Sequence, residues 1–84
     1  MSFTEACEVA YKFLGHGFTE IKDLGDCWYF WGCEPEIKPL GPQPIIIFKE
    51  TGQVTDWMEL VFVMHHSDEG EPLPIPPEYA YKAT

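Results

Sequence analysis

The sequence predicts an α+β domain, an N-terminal helix packed on a small antiparallel sheet, with all 84 residues (1–84) in one unit. Three observations carry that reading. Apolar residues recur at three- and four-residue spacing before Gly15 and at two-residue spacing after Gly17. An aromatic block, Cys27-Trp28-Tyr29-Phe30-Trp31, and an aliphatic block, Pro44-Ile45-Ile46-Ile47-Phe48, hold side chains that fit a pleated, half-buried surface. Between Lys49 and Val54, Glu50-Thr51-Gly52-Gln53 is a reversal in which Gly52 takes a positive φ.

Each element follows in order. Ser2-Phe3-Thr4-Glu5 has the form of a capping box, so a helix starts near Phe3. Phe3, Ala6, Cys7, Ala10, Phe13 and Leu14 form one apolar stripe, and Gly15 suits the left-handed C-terminal position, which ends the helix near Leu14. Gly17 to Leu24 reads as a first strand, and Gly25-Asp26 turns the chain into a second, Cys27 to Gly32. In that strand Trp28 and Phe30 share one face and Tyr29 and Trp31 the other, so it is central. Cys33 to Gln43, with Pro35, Pro39 and Pro42, is a long loop. Pro44 opens a third strand that runs through Ile45 to Lys49, and Val54 starts the strand after the turn. Asp56 to His66 has two readings. Trp57, Leu60, Val61 and Met64 recur at helical spacing behind an Asp56-x-x-Glu59 cap, while Val61-Phe62-Val63 suits a strand. Ser67 to Glu71 is an acidic turn, and residues 72–84 form an extended, proline-rich tail anchored by Leu73 and Ile75. The Pro74-x-x-Pro77 spacing has no flanking Arg and reads as packing.

Composition narrows the function classes. A domain of this size buries only about 60 to 65% of its unfolded surface, which points to one aromatic core and excludes a second. Against 14 acidic residues stand 5 Lys and no Arg, for a net charge of −9. Phosphate is repelled, so nucleic acid is not the expected partner, whereas a basic protein is attracted and its encounter accelerated. No stretch approaches the roughly 18 apolar residues of a membrane span, and no basic-then-apolar leader is visible, so neither membrane insertion nor export is expected. The cytoplasm is the expected location, and three cysteines fit reduced thiols there.

Sites of chemistry are sparse. Cys27, Cys33 and His65-His66 are zinc-ligand types, but the six residues of strand from Cys27 to Cys33 span about 20 Å, too far for one ion or a disulfide. No metal or cofactor is expected. Cys7 lies on the apolar stripe as a buried, inert thiol, and His16 follows the helix C-terminus, where a cation complements the dipole. A Cys-His nucleophile lacks any motif for its base or oxyanion hole, so no catalytic residue is assigned. The acidic loops, Glu34 and Glu36 in one and Asp68, Glu69 and Glu71 in the other, are solvated surface or, taken together, a partner-binding site.

Trp28-Tyr29-Phe30, Gly41 in the loop, Pro44-Ile45-Ile46-Ile47 and Lys49-Glu50-Thr51-Gly52-Gln53-Val54 resemble the YrhB family, also classed as immunity protein family 35 of bacterial polymorphic-toxin systems. The layout, from Ser2 to Val54, is similar to that family's, with Cys27 where it often has Gly and Phe48 where it often has Asp. The Lys-Glu-Thr-Gly hairpin is also similar to PepSY-type domains, which are associated with peptidase inhibition, and the layout is cystatin-like in the same sense. The resemblance implies a non-enzymatic immunity protein that binds and neutralises a cognate toxin. The charge favours a basic toxin, such as a nuclease effector. The alternatives are a regulatory or scaffold module that dimerises or binds a peptide or protein through its sheet, and a small cysteine-dependent enzyme.

Overall fold

Helix α1, Phe3–Leu14, starts and stops where its caps require. The Ser2 hydroxyl accepts from the Glu5 amide at 3.1 Å, and the Glu5 carboxylate accepts from the Ser2 amide at 3.3 Å. Two amides at this helix end are satisfied in that way. At the other end Gly15, with φ 78°, donates its amide to the Tyr11 carbonyl. The buried stripe is Ala6, Cys7, Ala10 and Leu14. Three of these are small, which lets the helix lie close to the sheet. Phe13 was expected on that stripe but is 63% exposed. It stands at the rim of a groove it shares with Ile45, Val54 and Thr55.

The computed structural model describes residues 1–32 and 44–82; the expected loop from Cys33 to Gln43 lies outside them. Five strands form one antiparallel sheet: β1 (Glu20–Asp23), β2 (Cys27–Trp31), β3 (Ile45–Phe48), β4 (Val54–Asp56) and β5 (Glu71–Pro72). Their order is β4-β3-β2-β1-β5. The aromatic and aliphatic blocks pair in the middle, Trp28 opposite Ile47 and Phe30 opposite Ile45. The β3–β4 reversal closes with the Gly52 amide on the Phe48 carbonyl at 2.8 Å, and Gly52 has φ 73°, a conformation that side chains with a Cβ resist.

The first strand is shorter than its sequence pattern. Phe18 leaves the β1 ladder for a parallel bridge with Ala80, donating to the Tyr79 carbonyl at 2.7 Å and accepting from the Tyr81 amide at 2.9 Å. The tail thus takes the hydrogen-bonding groups that would have prolonged β1. Leu73 and Ile75 pack on the core as expected, together with Tyr79, but the expected extension over residues 72–84 is interrupted: Pro77–Tyr79 wind into a short 3-10 turn, begun by a proline whose fixed φ suits it. The tail's entry into the sheet depends on Gly70. A Cβ there would lie 2.2 Å from the Asp23 carbonyl oxygen, so only glycine brings β5 alongside β1.

Alternation along β2 sorts the interior into two layers. Under α1 lie Phe18, Ile21, Trp28, Phe30 and Ile47, and beneath the opposite face lie Cys27, Tyr29, Ile46 and Leu60. The expectation of a single core is corrected accordingly: among the described residues, the second side of the two-faced central strand is closed by buried Leu60, with Leu24, Trp31, Phe48 and Trp57 partly buried against it. Leu60 and Trp57 come from the ambiguous segment, which is helical but wound as a single π-helical turn, Glu59–Val63. The Asp56 carboxylate accepts from the Glu59 amide at 2.8 Å, and the Met64 amide donates to the Glu59 carbonyl at 2.9 Å. Among the described residues no helix is long and apolar enough to cross a membrane.

Candidate functional site

The lower layer and the sheet end beside it gather most of the polar chemistry. Trp57, at the foot of the π turn, donates its indole N–H to the Asp68 carboxylate at 2.8 Å. Lys22 on β1 reaches the Asp68 carbonyl at 3.0 Å while its ammonium lies 4.2 Å from the centre of the Tyr29 ring. Asp68 therefore holds the π turn to the sheet, and it is half-buried. Glu69 and Glu71 are exposed, the latter on the edge strand β5 rather than in a loop. Glu34 and Glu36 lie outside the described residues. Of the five acidic residues expected to bind a partner, the structure thus sets Asp68 apart as an internal clamp and leaves Glu69 and Glu71 facing solvent.

The π turn presents what the charge pattern did not suggest. Phe62 is 62% exposed and Val63 66%, with Met58 and Met64 exposed beside them in sequence. The Phe62 ring meets Trp57 edge-on, with centroids 5.7 Å apart. An exposed apolar pair is thereby mounted on a turn braced from below by Leu60, Trp57 and Asp68. The signal in the sequence was a surplus: Phe62 and Val63 fall outside the Trp57, Leu60, Val61 and Met64 stripe.

A second corner lies where the β1–β2 turn meets the chain leaving the π turn. His66 Nε2 is 2.7 Å from Asp26 Oδ1, and His66 Nδ1 is 2.6 Å from the Ser67 carbonyl oxygen. The Ser67 carbonyl, then Asp26, raises the His66 pKa above its ordinary value. Burial pushes the Asp26 carboxyl upward, but hydrogen bonds from His66 and from the Cys27 thiol outweigh it, and the net shift is downward. Cys27 is wholly buried, and burial, reinforced by Asp26, pushes its thiol up to about 12. At neutral pH that thiol is protonated and is a poor nucleophile. A shallow cavity of about 350 Å³ opens beside this corner, lined by Gly25, Asp26, Phe48, Lys49 and Met64 among others. Cys27 does not line it.

No protein-family model matches the chain, and no curated protein or solved structure matches it either.

The remaining thiols and histidines divide simply. Cys7 is wholly buried under α1, and burial, then Glu78, pushes it up to about 11. His16, expected beside the helix end, is buried there, its Nδ1 2.9 Å from the Gly17 carbonyl and its ring edge-on to Tyr81. Cys33 lies outside the described residues. The fold brings Cys27 together with His66 at one corner, from distant parts of the sequence.

Proposed function

We propose that this chain is a non-enzymatic binding protein that neutralises a basic cognate toxin, as the resemblance to bacterial immunity proteins implies. The observation that carries the reading is the Phe62–Val63 pair, exposed on a turn that Leu60, Trp57 and Asp68 hold rigid. Binding surfaces combine a few apolar anchors with a polar rim, and an anchor that is already fixed loses little entropy on docking. Glu59, on the same turn, and Glu69 and Glu71 supply exposed carboxylates, and the chain's charge of −9 attracts a cationic partner from a distance. Glu34 and Glu36 add to that charge. The protonated, enclosed thiols of Cys7 and Cys27 favour binding over cysteine chemistry.

Dimerisation through a sheet edge is the weaker reading, since the outer strands β4 and β5 are three and two residues long.

Co-expression with the product of an adjacent gene carrying a toxin-like C-terminal domain tests the proposal. Rescue of growth and co-purification are expected, with both lost when Phe62 and Val63 are replaced by Asp and association slowed when Glu69 and Glu71 are replaced by Lys. Absence of rescue and of co-purification by the unaltered chain overturns it.

A further inference from the structure

Among the described residues one group of side chains has the make-up of a metal centre: an Asp26 carboxylate oxygen, Cys27 Sγ and a His66 ring nitrogen all lie within 4.8 Å of one another. We propose that Asp26, Cys27 and His66 bind a zinc ion that joins the β1–β2 turn to the chain leaving the π turn.

Four features of the corner support the assignment. The donors are a carboxylate, a thiolate precursor and an imidazole, the three ligand types zinc favours. Bonds of about 2.0 to 2.3 Å at tetrahedral angles place ligand atoms about 3.3 to 3.6 Å apart, so the 2.7 Å separation of His66 Nε2 and Asp26 Oδ1 has only to widen slightly. His66 is already oriented as a ligand. Its Nδ1 faces the Ser67 carbonyl at 2.6 Å, the outer-shell arrangement that leaves Nε2 to the metal. Finally, the side chains of His66 and Asp26 are 26% and 60% exposed, and Asp26 borders the 350 Å³ cavity, so an ion and a completing water approach from their side, with the wholly buried Cys27 as the inner ligand.

The charge balance is neutral. The ion replaces two protons, one from Cys27 Sγ and one from between His66 Nε2 and Asp26, both released to solvent. The site therefore gains no net charge. Lys49 is the nearby cation, and its ammonium is already paired with Asp23 at 2.7 Å. The proposal stands apart from toxin binding, because the exposed Phe62–Val63 pair contributes no ligand.

Cobalt(II) reports on the site directly, since a thiolate bound to it gives a sulfur-to-metal charge-transfer band in the near ultraviolet. Metal-stripped full-length protein titrated with cobalt should develop that band, and zinc should bleach it. The Cys33→Ser and Cys7→Ser variants should keep it. His66→Ala, a partly exposed change that leaves the thiol and the fold in place, should weaken cobalt binding at least about 10-fold, since even outer-shell losses cost that much. The same variant should lose any rise in melting temperature that zinc gives the unaltered chain. No band at excess cobalt overturns the proposal. So does a band that persists undiminished in His66→Ala or disappears in Cys33→Ser.

Discussion

Replacing Leu60 with Ala tests whether one side chain closes the lower layer. Leu60 is the sole buried residue of the π turn and is wholly inaccessible, packed with Cys27, Tyr29 and Ile46. Leu→Ala changes in rigid cores cost about 2.7 to 5.0 kcal/mol, the spread reflecting how far the surroundings collapse. Here the turn is braced by the Trp57–Asp68 bond and the Lys22 contact, so it relaxes only in part, and the loss should be about 2 to 3 kcal/mol. A domain of this length has a total stability of roughly 4 to 13 kcal/mol, so a large share of it would go. At about 4 to 8 °C per kcal/mol the melting temperature should fall by roughly 8 to 24 °C. Urea denaturation followed by far-ultraviolet circular dichroism measures the free energy, and calorimetry measures the melting point. The internal reference is Val63→Ala, three residues along the same turn but 66% exposed, which should stay within about 0.5 kcal/mol. A Leu60→Ala loss below about 1 kcal/mol, or equal losses for the two variants, refutes the idea that this turn is a structural lid.

Gly52→Val should cost about 1 to 2 kcal/mol, because φ 73° is strained for a β-branched residue; an unchanged urea midpoint would contradict this. Asp68→Lys and Glu69→Lys make the same change in charge one residue apart and should part company. The first breaks the bond to the Trp57 indole and sets a cation near Lys22, costing about 1.5 to 3 kcal/mol, while the second should stay within about 0.5 kcal/mol. Equal stabilities for that pair would show that Asp68 is solvated surface after all.

Local chemistry made the helix and the central strands legible. The Ser2–Glu5 box and Gly15 bracket α1 at Phe3 and Leu14, and alternation placed Trp28 and Phe30 together on one face of β2. What the sequence hid depends on distance along the chain. Asp26 and His66 are 40 residues apart, and nothing near either marks the other. Strand β5 was masked by its own composition, since Pro72 lacks an amide donor and proline-rich runs read as unpaired; at a sheet edge that missing donor is tolerated. Asp68 looked like its neighbours because a carboxylate in an acidic turn carries no sign of the indole that will meet it. Of the two readings of residues 56–66, the helical one and its Asp56 cap match the structure, and only the wider π winding escaped it, because a regular period of about 3.6 residues was assumed.

The tail's attachment has a consequence for how the protein is made. Its two links to the sheet, β5 against β1 and Ala80 against Phe18, join the last part of the chain to residues within the first 23. A nascent chain that has already formed α1, β1 and β2 still carries β1 with an open outer edge until residues 71 and 72 leave the ribosome. Exposed edges pair readily with other chains, and contacts this remote in sequence close slowly. The interval between emergence of β1 and arrival of the tail is therefore when this small domain is most prone to self-association, and slowing translation after Ser67 would lengthen it.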